Sequence, residues 1–198
     1  MSGMRASLVT ILGLVLLSGC GSVLGTKTPP DTYALTGTPA VEGRASPRRQ
    51  ILIAEPIALK ALDSEQIVIK PTPSSIQYLA DSQWSDRLPK IVQAKLIQAF
   101  ENSGRVGGVG RPGEGLAIDY QISTSIRSFE VRVQGGNTAV VEISAKVIND
   151  RNGTVRDQQV FRSTSPVRGS SNEAYVEALD RAFDNVTTDL VRWALQRF

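Results

Sequence analysis

Apolar positions occur along this chain first as one continuous run, then as short clusters, and finally in two regular periods. The run covers residues 8–17 and is interrupted only by Thr10 and Gly13. Residues 33–36 and 51–54 read as short strands, the second stopped by Pro56, with a Gly/Pro/Arg-containing loop between Thr36 and Gln50. Residues 66–70 form a third, ended by Pro71 and Pro73. A helix is predicted from near Asp86, because Leu88, Ile91, Val92, Leu96, Ala99 and Phe100 share one stripe at helical spacing. Pro89 fits its first turn, and Ser103-Gly104 suits its end.

The period then changes to two. Leu116, Ile118, Tyr120, Ile122 and Ile126 alternate with polar residues, and the apolar phase shifts to Phe129, Val131 and Val133. That shift predicts a bulge near Arg127-Ser128. Gly135-Gly136-Asn137 reads as a hairpin turn into a strand with Ala139, Val141, Ile143, Ala145 and Val147 inward. Asn152-Gly153 turns into a last strand over 154–163. A second helix follows, with Ser170 and Glu173 at capping-box spacing and Val176, Leu179, Phe183, Val186, Leu190 and Trp193 as its apolar stripe. The stripe could serve a coiled coil, but two heptads more often cover a sheet. The predicted fold class is α+β: a mainly antiparallel sheet with two amphipathic helices packed on one face.

The first run changes the picture of the N-terminus. Arg5 is the only charged side chain in the first 26 residues, and the apolar stretch is too short to span a bilayer, which needs about 20 residues. It ends in Leu17-Ser18-Gly19-Cys20, which resembles the bacterial lipobox. The expectation is a lipoprotein signal peptide over 1–19, lipid on Cys20, a flexible lipidated tether over 20–32 and one domain over 33–198. Cys20 is the only cysteine, so no intramolecular disulfide competes for its thiol. Stable anchoring needs about two lipid signals, and the lipobox resemblance implies three acyl chains. Gly21, not aspartate, follows the cysteine, which by the enteric sorting rule favours the outer membrane over the inner. The location expected is therefore the periplasmic side of the cell envelope.

Charge and composition narrow the function. With 22 Lys and Arg against 19 Asp and Glu, the balance is too even to argue for a nucleic-acid partner. There is no histidine, which removes Ser-His and Cys-His nucleophile systems and the commonest zinc ligand. Carboxylate pairs are the one catalytic device left, and the acids are scattered singly. No enzyme, cofactor or metal is expected. Gly108–Gly113 formally matches G-x-G-x-x-G, but it follows a helix and precedes a strand, the reverse of a dinucleotide site. The sequons at Asn152 and Asn185 carry little meaning in a bacterial lipoprotein.

Tyr78 and Trp84 lie in a polar segment just before the first helix, read as an exposed loop. Either both pack on the domain's own core, Trp84 closing the helix start, or they form an aromatic patch for a partner. At these residues the chain resembles a known family. After the lipobox and Tyr33-x-Leu35 come the Tyr78-to-Trp84 segment, Trp84-x-x-x-Leu88-Pro89, Asn102-Ser103-Gly104, Tyr120-x-Ile122…Ile126-x-x-Phe129 and Trp193-Ala194-Leu195. This order is similar to the auxiliary lipoproteins of ABC-type lipid transporters, of the paraquat-inducible protein C type. The resemblance implies a non-catalytic subunit that docks on a substrate-binding protein of the mammalian-cell-entry type and supports lipid movement between membranes. A structural or assembly lipoprotein of another envelope machine is the alternative. Transported lipid, direction and self-association into a homo-oligomer stay open at this point.

Overall fold

The computed structural model describes residues 29–37 and 39–198; the expected signal peptide, the lipobox-like residues 17–20 and most of the expected tether lie outside them. Among the described residues, nine strands and two helices follow one another: β1 (Asp31–Tyr33), β2 (Ser46–Ile53), β3 (Ile57–Ala58), β4 (Gln66–Lys70), β5 (Gln77–Trp84), α1 (Leu88–Ser103), β6 (Val106–Gly110), β7 (Tyr120–Arg132), β8 (Thr138–Asn149), β9 (Val155–Pro166) and α2 (Asn172–Leu195). The fold is α+β, with an open mixed sheet.

Strand β7 organises it. Along one edge it pairs antiparallel with β8 over its whole length, and β8 pairs antiparallel with β9. Along the other edge, β2, β3 and β4 take successive stretches of β7, all parallel to it. A single passage of chain, interrupted by Pro56 and by the turn after Ala58, therefore does the work of one long strand. β6 adds parallel to β2, while β5 adds antiparallel to β4 and carries β1 at its outer side. The long ladders are antiparallel and the parallel ones are short.

Both helices cover the same face. α2 lies over β8 and β9 and touches α1, which sits over β6 and β2. Its stripe of Val176, Leu179, Phe183, Val186, Leu190 and Trp193 is buried, as are Ala139, Val141, Ile143, Ala145 and Val147 beneath it. Burying one Leu, Ile or Phe contributes about 1.5–3 kcal/mol, so these facing rows supply most of the stability. Aromatic pairs tie the layers together: Trp84 meets Phe129 edge-on at 5.8 Å, Phe129 meets Phe183 at 5.7 Å, and Phe161 meets Trp193 at 5.5 Å. Gln93 of α1 is buried but donates to the carbonyl of Ile53 at 2.9 Å, satisfying it at the end of β2.

Several sequence expectations need correction. The loop expected before Gln50 becomes strand at Ser46, because β6 supplies a parallel partner there. β6 was hidden by its glycines, and close approach explains them: a Cβ on Gly107 would sit 2.3 Å from the Pro47 carbonyl oxygen. The strand expected from Leu116 begins only at Tyr120, and Leu116 is exposed because Gly113 and Gly115, both at positive φ, keep that segment in a turn. Val133 also lies past the strand end and is exposed. The first strand is Asp31–Tyr33, slightly earlier than read, and β9 runs on to Pro166. The cap of α2 is Ser171, whose hydroxyl accepts from the Ala174 N–H at 3.3 Å, not Ser170. The bulge read from the phase shift is present between Ile126 and Ser128, and Gly104 caps α1 at φ 59°.

Candidate functional site

The segment holding Tyr78 and Trp84 is a strand, not a loop, because β4 and β1 pair with its two edges and replace the water its backbone would otherwise bond. Its polar composition misled the sequence reading. Six residues apart, the two aromatics would normally point to one side of a sheet. Here the register slips between Gln66 and Val68 of β4, and Asp81 adopts φ 51°. That irregularity re-aims the strand, so Trp84 and Tyr78 lie on opposite faces. Trp84 is 1% exposed and packs on Phe129 under the helices. Tyr78 is 42% exposed and stands beside Val68 on the face that no helix covers.

The twist in β5 is held from the helix side. Asn172, at the start of α2, donates to the Ala80 carbonyl at 3.0 Å and to the Ser82 hydroxyl at 2.7 Å. The Tyr33 hydroxyl donates to Glu173 at 3.1 Å. Glu173 is held below the usual carboxylate range by its own backbone N–H, then by Ser171 and Tyr33. These bonds fix where β1 and the second half of β5 meet α2.

The open face was not singled out from the sequence. Register places Ile57, Ser125, Ser144 and Val160 in one row across four strands, with Ile57 and Val160 largely exposed. One row further along, Glu142 takes Arg127 at 3.8 Å and Arg162 at 3.2 Å. Beyond that lies a second row of Tyr78, Val68, Glu130, Val140 and Thr164. Glu130 is buried there, paired with Arg132 at 2.9 Å and Lys70 at 3.6 Å. A signal did exist: in β9 the inward phase belongs to Phe161, so Val160 is an apolar residue at an outward position. Serines at 123, 125 and 144 give that surface a low, flat profile where long charged side chains would be ordinary.

Among the described residues, no group of three or more His, Cys, Asp or Glu could hold a metal, and no helix is long and apolar enough to cross a membrane. Cys20, the expected lipid-attachment residue, lies outside the described residues.

Comparison with known proteins adds what geometry alone does not. A protein XCC0632 from Xanthomonas campestris has a crystal structure matching with a TM-score of 0.73 and 28% identity, over 84% of this chain and 96% of that one. A second crystal structure, of an uncharacterized protein, matches at 0.66 and 13% identity over 82% of this chain and 97% of its own, which speaks for the fold alone. A Bradyrhizobium diazoefficiens protein, bll6063, is 29% identical over 184 residues. That alignment takes in 91% of this chain and 49% of the relative, so the chain spans about half the length of the curated relative it matches. A family model described as an ABC-type transport auxiliary lipoprotein component matches residues 33–191, and the chain belongs to that family.

Proposed function

We propose that this protein is a non-catalytic, lipid-anchored subunit of an ABC-type lipid transport system, docking on a substrate-binding protein of the mammalian-cell-entry type. The observation that carries the docking surface is the uncovered face of the sheet. Helices protect only one side, while the other presents Ile57, Val160 and Tyr78 above a level bed of serines. Exposed apolar residues on a rigid, flat scaffold suit a protein partner, since they lose little freedom on binding. Tyr78 supplies the aromatic anchor that such interfaces favour. Trp84 acts through the fold, by setting where β5 lies.

On this reading residues 1–19 are a signal peptide, and Cys20 carries the lipid after cleavage. Gly21 favours the outer membrane, leaving the domain in the periplasm. A domain without histidine, working by binding and held near its partner by a tether, needs no chemistry of its own.

The test is capture of the mammalian-cell-entry protein from membranes by the lipidated chain. Ile57→Ser combined with Tyr78→Ala should reduce capture at least tenfold with the melting temperature held within a few degrees. Undiminished capture by that variant would move the docking surface elsewhere. Metabolic labelling with a clickable fatty acid should mark the wild type and not Cys20→Ser; equal labelling of both would sink the anchor.

A further inference from the structure

At the end of the sheet where β7 begins, the chain gathers guanidinium groups around an open cleft of about 630 Å³. Arg44, Arg48, Arg49 and Arg151 line it, and Asp119 is the only acid among the lining residues. Its apolar lining residues are the exposed Ala45, Pro47 and Ala117 and the edge of Phe198, a buried ring stacked on Tyr120 at 5.4 Å. An adjoining cleft shares Arg44 and Phe198 and adds Arg156 and Arg197.

The acids here organise the cations without neutralising them. Asp119 accepts from the Gln50 N–H at 3.1 Å, from Arg49 at 3.3 Å and from Arg151 at 3.1 Å. One carboxylate thus fixes two arginines. The Gln50 N–H, then Arg49 and Arg151, hold its carboxyl below the usual range, so it stays charged. Arg49 and Arg156 also lie over the Tyr120 ring at 5.8 and 5.7 Å, which limits their motion. Asp157 is occupied by Arg197 and by the Trp193 N–H. Arg44 and Arg48 have no carboxylate partner among the described residues. Elsewhere the pattern is the reverse: Glu130 engages Lys70 and Arg132, and Glu142 engages Arg127 and Arg162. Four guanidiniums against one carboxylate, with a few apolar residues between them, is an unbalanced arrangement that an anion completes.

We infer that this cleft binds a phosphate-bearing amphiphile, its phosphate held by Arg44, Arg48 and Arg151 and its less polar part against Phe198 and Ala117. Guanidinium forks match phosphate oxygens in pairs, and a planar cation already fixed by a carboxylate loses less freedom on binding. Phe198, Ala45, Pro47 and Ala117 among the lining residues give a less polar group something to lie against, which a plain phosphate would not use. The inference rests on the cleft alone and holds whatever protein docks on the open face. That face can fail its capture test while the cleft still binds.

Calorimetric titration of the full chain in an uncharged detergent tests it, with dihexanoyl phosphatidic acid, inorganic phosphate, dihexanoyl phosphatidylcholine and a polyglutamate peptide as probes. Dihexanoyl phosphatidic acid should bind saturably, at least tenfold more tightly than the zwitterionic lipid. Arg48→Gln with Arg151→Gln should weaken it at least tenfold, while Arg162→Gln, a single charge removed on the open face, should leave it unaltered. A tenfold preference for the acylated probe over inorganic phosphate would support the amphiphile; inorganic phosphate binding as tightly as the lipid would overturn it in favour of a small phosphate ester. Saturable binding by neither phosphate probe, binding by polyglutamate alone, or equal weakening by Arg162→Gln would overturn the site.

Discussion

The two faces of the sheet are built from the same strands yet are made of different materials. Under the helices, β7 and β8 present Ile122, Ile126, Phe129, Val141, Ile143 and Val147, all essentially removed from water. On the other side the same strands present Ser123, Ser125, Ser144, Lys146 and two acids held by cations. Alternation along a strand lets one segment serve both purposes, since neighbouring residues answer to different surroundings. Stability therefore resides on one face and surface chemistry on the other. Substitutions on the two faces should separate in melting and in binding.

The covered face should give the largest effects. Phe183→Asp puts a charge where no partner exists, against Phe129 and beneath α2, and should abolish the cooperative melt. A melt like the wild type's would mean that α2 does not close the core in solution. Trp84→Ala should destabilise by about 3–5 kcal/mol, the usual range for a buried aromatic, read by denaturant titration. Tyr78→Ala, on the same strand but the other face, should change stability by less than about 1 kcal/mol. Equal losses in the two would erase the distinction between the faces.

One acid on the open face behaves like core. Glu130 is 3% exposed, so Lys70→Met with Arg132→Met would leave its charge buried without a partner. Breaking buried pairs costs about 3–5 kcal/mol, and the partial exposure of both cations argues for the lower end here. Adding Glu130→Leu to that pair should recover most of the loss. Failure to recover would show that packing, not charge, holds this corner.

Much of the covered face was legible in the sequence because it is periodic. The stripe of α2, the inward row of β8 and the bulge after Ile126 all follow from spacing that side chains must obey wherever one face is dry. The open face and β6 were not legible, for physical reasons. β6 is a strand by virtue of its neighbour: Gly107 and Gly108 carry no strand preference, and the close approach of Pro47 requires the first of them. β5 reads as loop because its residues are polar, and its backbone is satisfied by β4 just before it and by β1, which lies far away in sequence. Tyr78 and Trp84 were noticed together, yet their opposite orientations depend on a slip at Asp81 that no local pattern announces. The arginine cleft was hidden in the even charge total, since Arg44, Arg48 and Arg151 become neighbours only when the β8–β9 turn folds beside the entry to β2.

The smallest effect concerns an acid on the helix side that the fold tolerates poorly. Asp184 of α2 has a carboxylate oxygen buried without a hydrogen-bond partner. Burial raises its pKa first and the charge of Asp180 second, with Lys95 opposing them. Asp180 itself is engaged, accepting from the Thr36 N–H at 3.0 Å and from the Thr36 hydroxyl, which holds it close to Asp184. A folded pKa above the unfolded value means that the associated stability is full below the unfolded pKa, near 4, and is lost as pH rises through the folded one. At neutral pH, Asp184 is therefore a net burden. Asp184→Asn should raise the melting temperature at pH 7 by about 1–3 °C, and the advantage should shrink to nothing as the pH approaches 4. A gain that persists unchanged at pH 4 would assign the effect to amide hydrogen bonding and not to relief of a buried charge.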